Sequence, residues 1–173
     1  MKKLPIEIEA IYEELKKEIT WLHGRWIVYR QLFGTSEKRI ALLNECSPTL
    51  FYILQDVLIG EVQLSLCKLT DPPSTGKSDN LSLEHLQMLL EAHADASLAL
   101  TGRAVLDPLK VSCQPFRTWR NKRLAHLDLD AAMRSSSNPM PGISRSMIEQ
   151  ALESVRKYMN AIEPTLLGQR GGI

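Results

Sequence analysis

The spacing of apolar residues along the chain predicts helices almost throughout. Near the N-terminus, apolar side chains recur every three or four positions, at Ile8, Ile11, Leu15, Ile19, Leu22, Trp26 and Tyr29. This period is typical of one face of an α-helix. It predicts a first helix of about 25 residues, beginning near Pro5 and ending near Gly34.

The most apolar stretch runs from Leu50 to Leu69, and almost every face of the helix that it predicts is apolar. Such a helix is expected at the centre of a bundle. Pro48 is compatible with either a kink or the first turn of this helix. Asp56 and Glu61 lie near its middle, and each carboxylate opposes insertion into a bilayer by roughly 2.5–3.5 kcal/mol. We therefore expect a core helix and no membrane span.

Further helices are predicted from the same periodicity and from capping residues. They lie near residues 36–46, 82–90, 92–103 and 108–127, and a last one begins near residue 146. Turn-rich loops separate some of them at 71–80 and 133–142. No segment shows sustained alternation of apolar and polar residues. The predicted fold class is all-α, an antiparallel up-and-down bundle of about five or six major helices.

Length, charge and cysteine content limit the functional classes. The 173 residues predict one domain over 1–167 and a disordered tail over 168–173. The net charge of +1 excludes a global field that would attract nucleic acid, so RNA binding would need a local basic patch. The three cysteines form no CxxC pair and lie in apolar patterns, and the N-terminus turns acidic after two lysines. We expect reduced core cysteines, no signal peptide and a cytoplasmic location.

The segment from Phe116 to Asp130 carries the densest anion-binding chemistry in the chain. Four cations fall within seven residues, and they are Arg117, Arg120, Lys122 and Arg123. A histidine, His126, follows them. Arg120 shares the helical rhythm of its apolar neighbours, which predicts an interior position. A guanidinium there must be compensated by a carboxylate, by backbone carbonyls or by a ligand phosphate.

Two interpretations of Arg120 and His126 remain open on spacing alone. In the first, Arg120 is ion-paired with a core carboxylate such as Asp56 or Glu61, and His126 is hydrogen-bonded to a nearby aspartate or carbonyl. In the second, both residues bind an anionic ligand. On a regular helix they would stand about 9 Å apart along the axis and roughly 120° apart around it. Binding one phosphate would then need a long arginine reach, a helix distortion near His126, or a second copy of the chain.

The string RNKRLAHLD, with Arg120 followed by Asn121 and by His126 after five intervening residues, resembles the signature of HEPN domains. It is similar to the abortive-infection branch, as are the segments Leu69-Thr70-Asp71-Pro72 and Asn80-Leu81-Ser82-Leu83. The resemblance implies a HEPN-like bundle and catalytic roles for Arg120, Asn121 and His126. It also implies contacts of three accessory cations with flanking RNA phosphates: Arg117, Lys122 and Arg123.

The resemblance implies a metal-independent endoribonuclease without cofactors. The ribose 2′-hydroxyl would attack the adjacent phosphate in a composite cleft of a homodimer. The protein would act in phage defence or as a toxin, with RNA as substrate and an antitoxin protein as a further partner. The alternative is a non-catalytic HEPN module that binds RNA, a nucleotide or a partner protein.

Overall fold

A computed structural model describes residues 4–133 and 139–170, and this part of the chain is an all-helical bundle. Its α-helices are α1 (Ile6–Phe33), α2 (Glu37–Cys46), α3 (Pro48–Leu69), α4 (Leu83–His93), α5 (Ala96–Ser112), α6 (Gln114–Trp119), α7 (Leu129–Ala132) and α8 (Arg145–Arg170). A π-helix, Arg120–Leu124, joins α6 to α7. The predicted all-α fold is confirmed, and α1 begins and ends where the periodicity predicts.

The core lies between α1, α4, α5, α8 and the second half of α3. The α1 stripe is buried against α3, α4 and α8, and α5 packs along α8. Two predicted caps are present, since Ser36 Oγ accepts the amide of Arg39 at 3.3 Å and Ser82 Oγ accepts that of His85 at 3.1 Å. These bonds satisfy amides that the first helical turn leaves unpaired.

A small hairpin follows α3 and fixes the loop that begins at Asp71. Strands β1 (Ser74–Thr75) and β2 (Ser78–Asp79) pair antiparallel, and Gly76 turns between them at a φ of 64°, where a side chain would be strained. The Asn80 side chain donates to the Pro72 carbonyl and to Thr75 Oγ1, both at 2.8 Å. The residues that follow Asp71 are therefore held in one conformation.

The predicted central burial of the Leu50–Leu69 helix is wrong for its first half. Exposed apolar side chains, between 53% and 74% accessible, are Leu50, Tyr52, Ile53 and Val57. Burial begins only at Val62, and α2 has no buried residue. An apolar sequence favours coverage of a helix, but it does not say whether the same chain supplies the cover.

Helix α3 also has a length and composition that a membrane span would need. Its mean hydropathy is 1.4 over the most apolar window, of which 22% is buried. Core helices of soluble proteins meet the same criteria. The expectation of no membrane span stays a prediction.

The helix predicted over 108–127 is divided. Pro108 lies inside α5, which continues through Gly102 to Ser112, and α6 starts at Gln114 with Pro115 in its first turn. A first-turn proline needs no amide partner, so Pro115 marks the new start better than Pro108 does. The regular helix then ends at Trp119.

The end of the chain continues as helix past the predicted start of the tail. Helix α8 extends through Gly168 to Arg170, and residues 171–173 lie outside the described residues. Part of the loop predicted over 133–142, residues 134–138, lies outside them as well.

Candidate functional site

The centre of the candidate site is the carboxylate of Asp71, which binds two arginines. Arg120 Nη1 donates to both Asp71 oxygens, at 2.9 and 3.0 Å. Arg117 Nη1 donates to Oδ1 of the same group. The three side chains, which we call the Asp71 clamp, are between 18% and 24% exposed. This partial burial shields them from salt more than an exposed ion pair.

Arg117 also forms hydrogen bonds with residues at the end of α3. Its Nη2 donates to the Thr70 carbonyl, to Thr70 Oγ1 at 2.9 Å and to the Cys67 carbonyl at 3.4 Å. The last carbonyls of a helix lack partners and carry partial negative charge. Arg117 therefore ties α6 to the end of α3, and its guanidinium faces protein groups.

The ion-pair interpretation suggested Asp56 or Glu61 as the carboxylate that compensates Arg120, and neither of them does so. The compensating carboxylate is Asp71, which lies just beyond α3 at the start of the hairpin loop. A helical rhythm selects partners within helices and misses a residue in the following turn. The segment Leu69-Thr70-Asp71-Pro72, noted only for its resemblance to HEPN sequences, is the signal that could have found it.

Arg120 keeps part of its guanidinium unused. Its Nε donates to Asn121 Oδ1 at 3.1 Å, whereas its Nη2 makes no hydrogen bond to any described residue. Asn121 thus orients the arginine in this structure, and the catalytic role that the resemblance implies for it stays a prediction. Two guanidiniums against one carboxylate leave the clamp positively charged. It can still donate two N–H groups to an anion.

The helix is distorted directly between Arg120 and His126. The amide of Ala125 donates to the Arg120 carbonyl, five residues back, at 2.7 Å, and the Asp128 amide donates to the Lys122 carbonyl at 3.0 Å. The chain leaves helical geometry after Leu124, so His126 lies in an irregular segment. Of the three arrangements considered from the spacing, the helix distortion is present. Such π-turns occur frequently at functional sites.

The imidazole of His126 is exposed and makes no hydrogen bond or ion pair with the described residues. Asp128, one partner considered for it, caps α7 instead by accepting the Ala131 amide at 2.9 Å. Within one chain, Arg120 and His126 are not hydrogen-bonded to each other. The imidazole is therefore accessible, and no hydrogen bond from residues 4–133 or 139–170 orients it.

The accessory cations differ in availability. Arg117 is engaged in the clamp, whereas Lys122 is half-buried and Arg123 is exposed. Within the described ranges, neither Lys122 nor Arg123 forms an ion pair. Their binding of RNA stays a prediction.

Exposed apolar side chains lie on both sides of His126 in the sequence. Leu124, Leu127, Leu129 and Met133 are all exposed. A Cβ placed on Gly60 would lie 3.5 Å from Leu124 Cδ2, so Leu124 packs over this glycine of α3. Leu124 thereby contacts α3 three residues after the exposed Val57.

Metal-ligating side chains do not cluster in the part of the chain that is described, since no group of three or more His, Cys, Asp or Glu could hold an ion. Cys67 and Cys113 are buried beside the clamp, and burial raises the pKa of each thiol to about 11. Both stay protonated at neutral pH. Cys46 is exposed, so its predicted core position is wrong.

Comparison with known proteins gives one match. The family model HEPN_AbiU2, described as AbiU2, matches residues 6–168, which include the clamp, the π-helix and His126. No curated protein and no solved structure matches the chain significantly. Because the match spans nearly the whole sequence, the protein belongs to the HEPN_AbiU2 family of abortive-infection HEPN proteins.

Proposed function

We propose that this protein is a metal-independent endoribonuclease of the cytoplasm, acting in phage defence or as a toxin restrained by an antitoxin protein. One observation carries the proposal. Arg120 is fixed by Asp71 and Asn121 with Nη2 unused, and a helix distortion separates it from an accessible His126. A cationic donor fork beside a titratable base is the equipment that phosphodiester cleavage by a neighbouring hydroxyl needs.

The proposed reaction needs two proton transfers and one charge-stabilising group. A neutral His126 takes the proton of a ribose 2′-hydroxyl, and the oxygen forms a bond to phosphorus as the bond to the 5′-oxygen breaks. A protonated imidazole gives the leaving 5′-oxygen its proton, so the products are a 2′,3′-cyclic phosphate and a 5′-hydroxyl. Imidazole suits both roles near neutral pH. Arg120 Nη2 donates to the phosphate oxygens as their charge grows.

A second copy of the chain supplies the second imidazole. One chain contains one His126, and that histidine is not bonded to its own Arg120. A two-fold axis beside the motif brings two arginines and two histidines into a shared cleft, because residues near the axis meet their own counterparts. One histidine acts as base and the other as acid.

The exposed part of α3 is the surface that we assign to this seam. Leu50, Ile53 and Val57 are spaced for one face of the helix, and each is more than half exposed. The surface continues to Leu124 through the contact at Gly60. Burying this face against its copy removes apolar area from water, which favours association. It also places the two π-helices at the edge of the interface.

RNA cleavage in the presence of a chelator tests the function. The wild-type protein should cut single-stranded RNA with EDTA present and leave cyclic phosphate ends, and His126→Ala should abolish cutting with an unchanged thermal melt. His93→Ala, which replaces a histidine at the end of α4, is the matched control and should cut normally. Cleavage that survives His126→Ala removes the mechanism.

A second function is favoured by a different observation. Arg120 already has a carboxylate partner, and an arginine held in an ion pair can serve recognition without catalysis. In that case the protein binds RNA, a nucleotide or a partner protein and cuts nothing. Retention of labelled RNA without product, in the same assay, selects this function.

The seam is tested by a charge placed on α3. Ile53→Glu should turn a dimer into a monomer in sedimentation velocity and remove cleavage, because a carboxylate in an apolar interface loses its water without a partner. Ile27→Glu is the control, since Ile27 of α1 is exposed to the same degree on another surface. A wild-type monomer that cuts RNA, or an Ile53→Glu dimer, contradicts the assignment.

A further inference from the structure

Asp71 is not among the residues that the HEPN signature identifies, yet it holds the arginine that is. It lies just after α3, whereas Arg120 lies 49 residues later in the sequence. Its loop is closed by the Asn80 side chain, which donates to Pro72 and Thr75. Asp71 is therefore held between two ordered segments, α3 before it and the loop closed by Asn80 after it.

Arg117 fixes the carboxylate from the other side. It donates through Nη1 to Asp71 Oδ1 and through Nη2 to the carbonyl and hydroxyl of Thr70. These contacts attach the carboxylate to α6 as well as to α3. Because Arg117 compensates much of the charge of Asp71, the carboxylate can hold Arg120 without neutralising the whole site.

Asp71 and Asn121 together determine where Arg120 can donate. Asp71 holds the Nη1 corner of the guanidinium, and Asn121 holds the Nε corner. A planar group fixed at two corners cannot rotate, so the N–H groups of Nη2 have one direction. Donors that are oriented before the reaction lose no freedom when charge develops on the phosphate.

We infer that Asp71 is a positioning residue of the RNA-cleaving site, acting through Arg120 and braced by Arg117. The inference rests on the proposed function. It assigns Arg117 to the support of the site and leaves the flanking phosphates to Lys122 and Arg123. The substrate group that the clamp serves is a phosphodiester, because a net positive fork with two remaining donors suits paired phosphate oxygens.

Asp71→Asn is the principal test, with Asp79→Asn of the same loop as its control. Asp79 is exposed, and its side chain makes no hydrogen bond or ion pair with a described residue. Asp71→Asn should lower kcat about 10- to 100-fold, as misplacement of a catalytic group does, while KM stays equal or falls because a negative charge is removed. Asp79→Asn should leave both constants unchanged. A rise in kcat would mean that Asp71 competes with the phosphate, and overturns the inference.

A double variant separates positioning from a general effect on the fold. If Asp71 acts through Arg120, Asp71→Asn should cause little further loss of kcat in an Arg120→Lys background. Full additivity of the two losses overturns the inference. Should Asp71→Asn not fold, Asp71→Glu takes its place, with a several-fold loss of kcat expected because the carboxylate moves by one methylene. A wild-type kcat in folded Asp71→Glu then overturns it.

A measurement without catalysis distinguishes failure of this inference from failure of the proposed function. In ¹⁵N NMR of arginine side chains, the Nη groups of Arg120 should rotate slowly in the wild type and rapidly in Asp71→Asn, with Arg120→Lys used for assignment. Equal rotation in both proteins overturns the inference even if RNA is cut. If Arg120 rotates slowly in the wild type but the wild type does not cleave RNA, the proposed function is wrong. The positioning of Arg120 by Asp71 still holds in that case.

Discussion

Two clusters in this molecule pair arginine with carboxylates, but they differ in the ratio of cations to carboxylates and in the donors that remain without a partner among the described residues. Between α4 and α5, Arg103 donates to Glu84 at 2.6 Å and to Glu91 at 2.8 Å, and it also reaches Asp107 at 3.4 Å. Lys110 donates to the second oxygen of Glu84 at 2.7 Å. Three carboxylates thus face two cations. Every guanidinium nitrogen of Arg103 has a partner.

The Asp71 clamp has the reverse balance. Two guanidiniums face one carboxylate, and Arg120 Nη2 has no partner among the described residues. The clamp therefore retains positive charge and unused donors at the edge of the bundle. A closed cluster can only stabilise the fold, whereas an open one can also bind an anion.

The surroundings of the two clusters also differ, since a buried hydrogen-bonded network lies beside Arg103 and exposed polar groups lie beside the Asp71 clamp. Next to Arg103, the buried Gln87 side chain donates to the Ala99 carbonyl at 2.8 Å and accepts the Tyr158 hydroxyl at 3.1 Å. Next to the clamp are a π-helix and an accessible His126. An ion pair alone does not tell a structural arginine from a functional one. The remaining donors and the net charge do.

The largest expected effect is a difference between two identical substitutions. Arg120→Lys should lower RNA cleavage about 100-fold or more, since lysine keeps the charge but loses the planar fork. Its effect on the thermal melt should be small. Arg103→Lys should leave cleavage unchanged at temperatures well below the melt and lower the Tm by a few degrees, because its network is part of the fold. Cleavage rates and differential scanning calorimetry of both variants make the comparison.

The opposite pattern would end the distinction between the clusters. A normal cleavage rate in Arg120→Lys would show that any cation suffices at the clamp. A large loss of cleavage in folded Arg103→Lys would show that the α4–α5 cluster contributes to the site.

Periodicity predicted the bundle because burial and helical spacing are coupled within one chain. The stripe of α1 is buried as expected, except that Ile11 is half-buried and Tyr12 is buried beside it, and the helix ends next to Gly34 as predicted. The same reasoning was wrong for the first half of α3, where four apolar side chains (Leu50, Tyr52, Ile53 and Val57) are more than half exposed. An apolar pattern predicts that a helix face will be buried, but it does not identify the surface that buries it.

The site was less predictable because it depends on geometry that spacing does not encode. The six-residue step from Arg120 to His126 left three arrangements open, of which a helix distortion was one, and the π-helix could not be located from the sequence. The partner of Arg120 lies in a turn after α3, which helical rhythm does not reach. The segment around Asp71 was noted for its resemblance to HEPN sequences, but no role for Asp71 was predicted from it.

A smaller effect, on the free energy of unfolding, is expected from a substitution at Gly102, which lies next to Gln87 near the Arg103 cluster. A Cβ at this position would lie 2.3 Å from Gln87 Oε1, so Gln87 must shift and weaken its bonds to Ala99 or Tyr158. Gly102→Ala should cost about 1–3 kcal/mol of unfolding free energy, less a gain of up to about 1 kcal/mol in helix propensity. Calorimetry should show a lower Tm and cleavage assays a normal rate.

The control for Gly102 is the same substitution in α1. Gly24 has open space around its Cβ position, so Gly24→Ala should raise the Tm through helix propensity alone. A Gly102→Ala protein that is as stable as Gly24→Ala would mean that Gln87 moves without losing its hydrogen bonds.

The smallest expected effect is a pH dependence of folding that comes from Glu84. Burial raises the pKa of this carboxyl, but hydrogen bonds from Lys110 and Arg103, with their charges, outweigh burial and hold the pKa below its ordinary value of 4.5. The unfolded chain therefore binds the proton more readily, so the contribution of Glu84 is present above pH 4.5 and is lost as pH falls through the folded pKa. Urea unfolding of the wild type and of Glu84→Gln should give free energies that converge between pH 7 and pH 3. Parallel curves would mean that the cluster stabilises the fold by packing, and that its charges contribute no more than exposed pairs do.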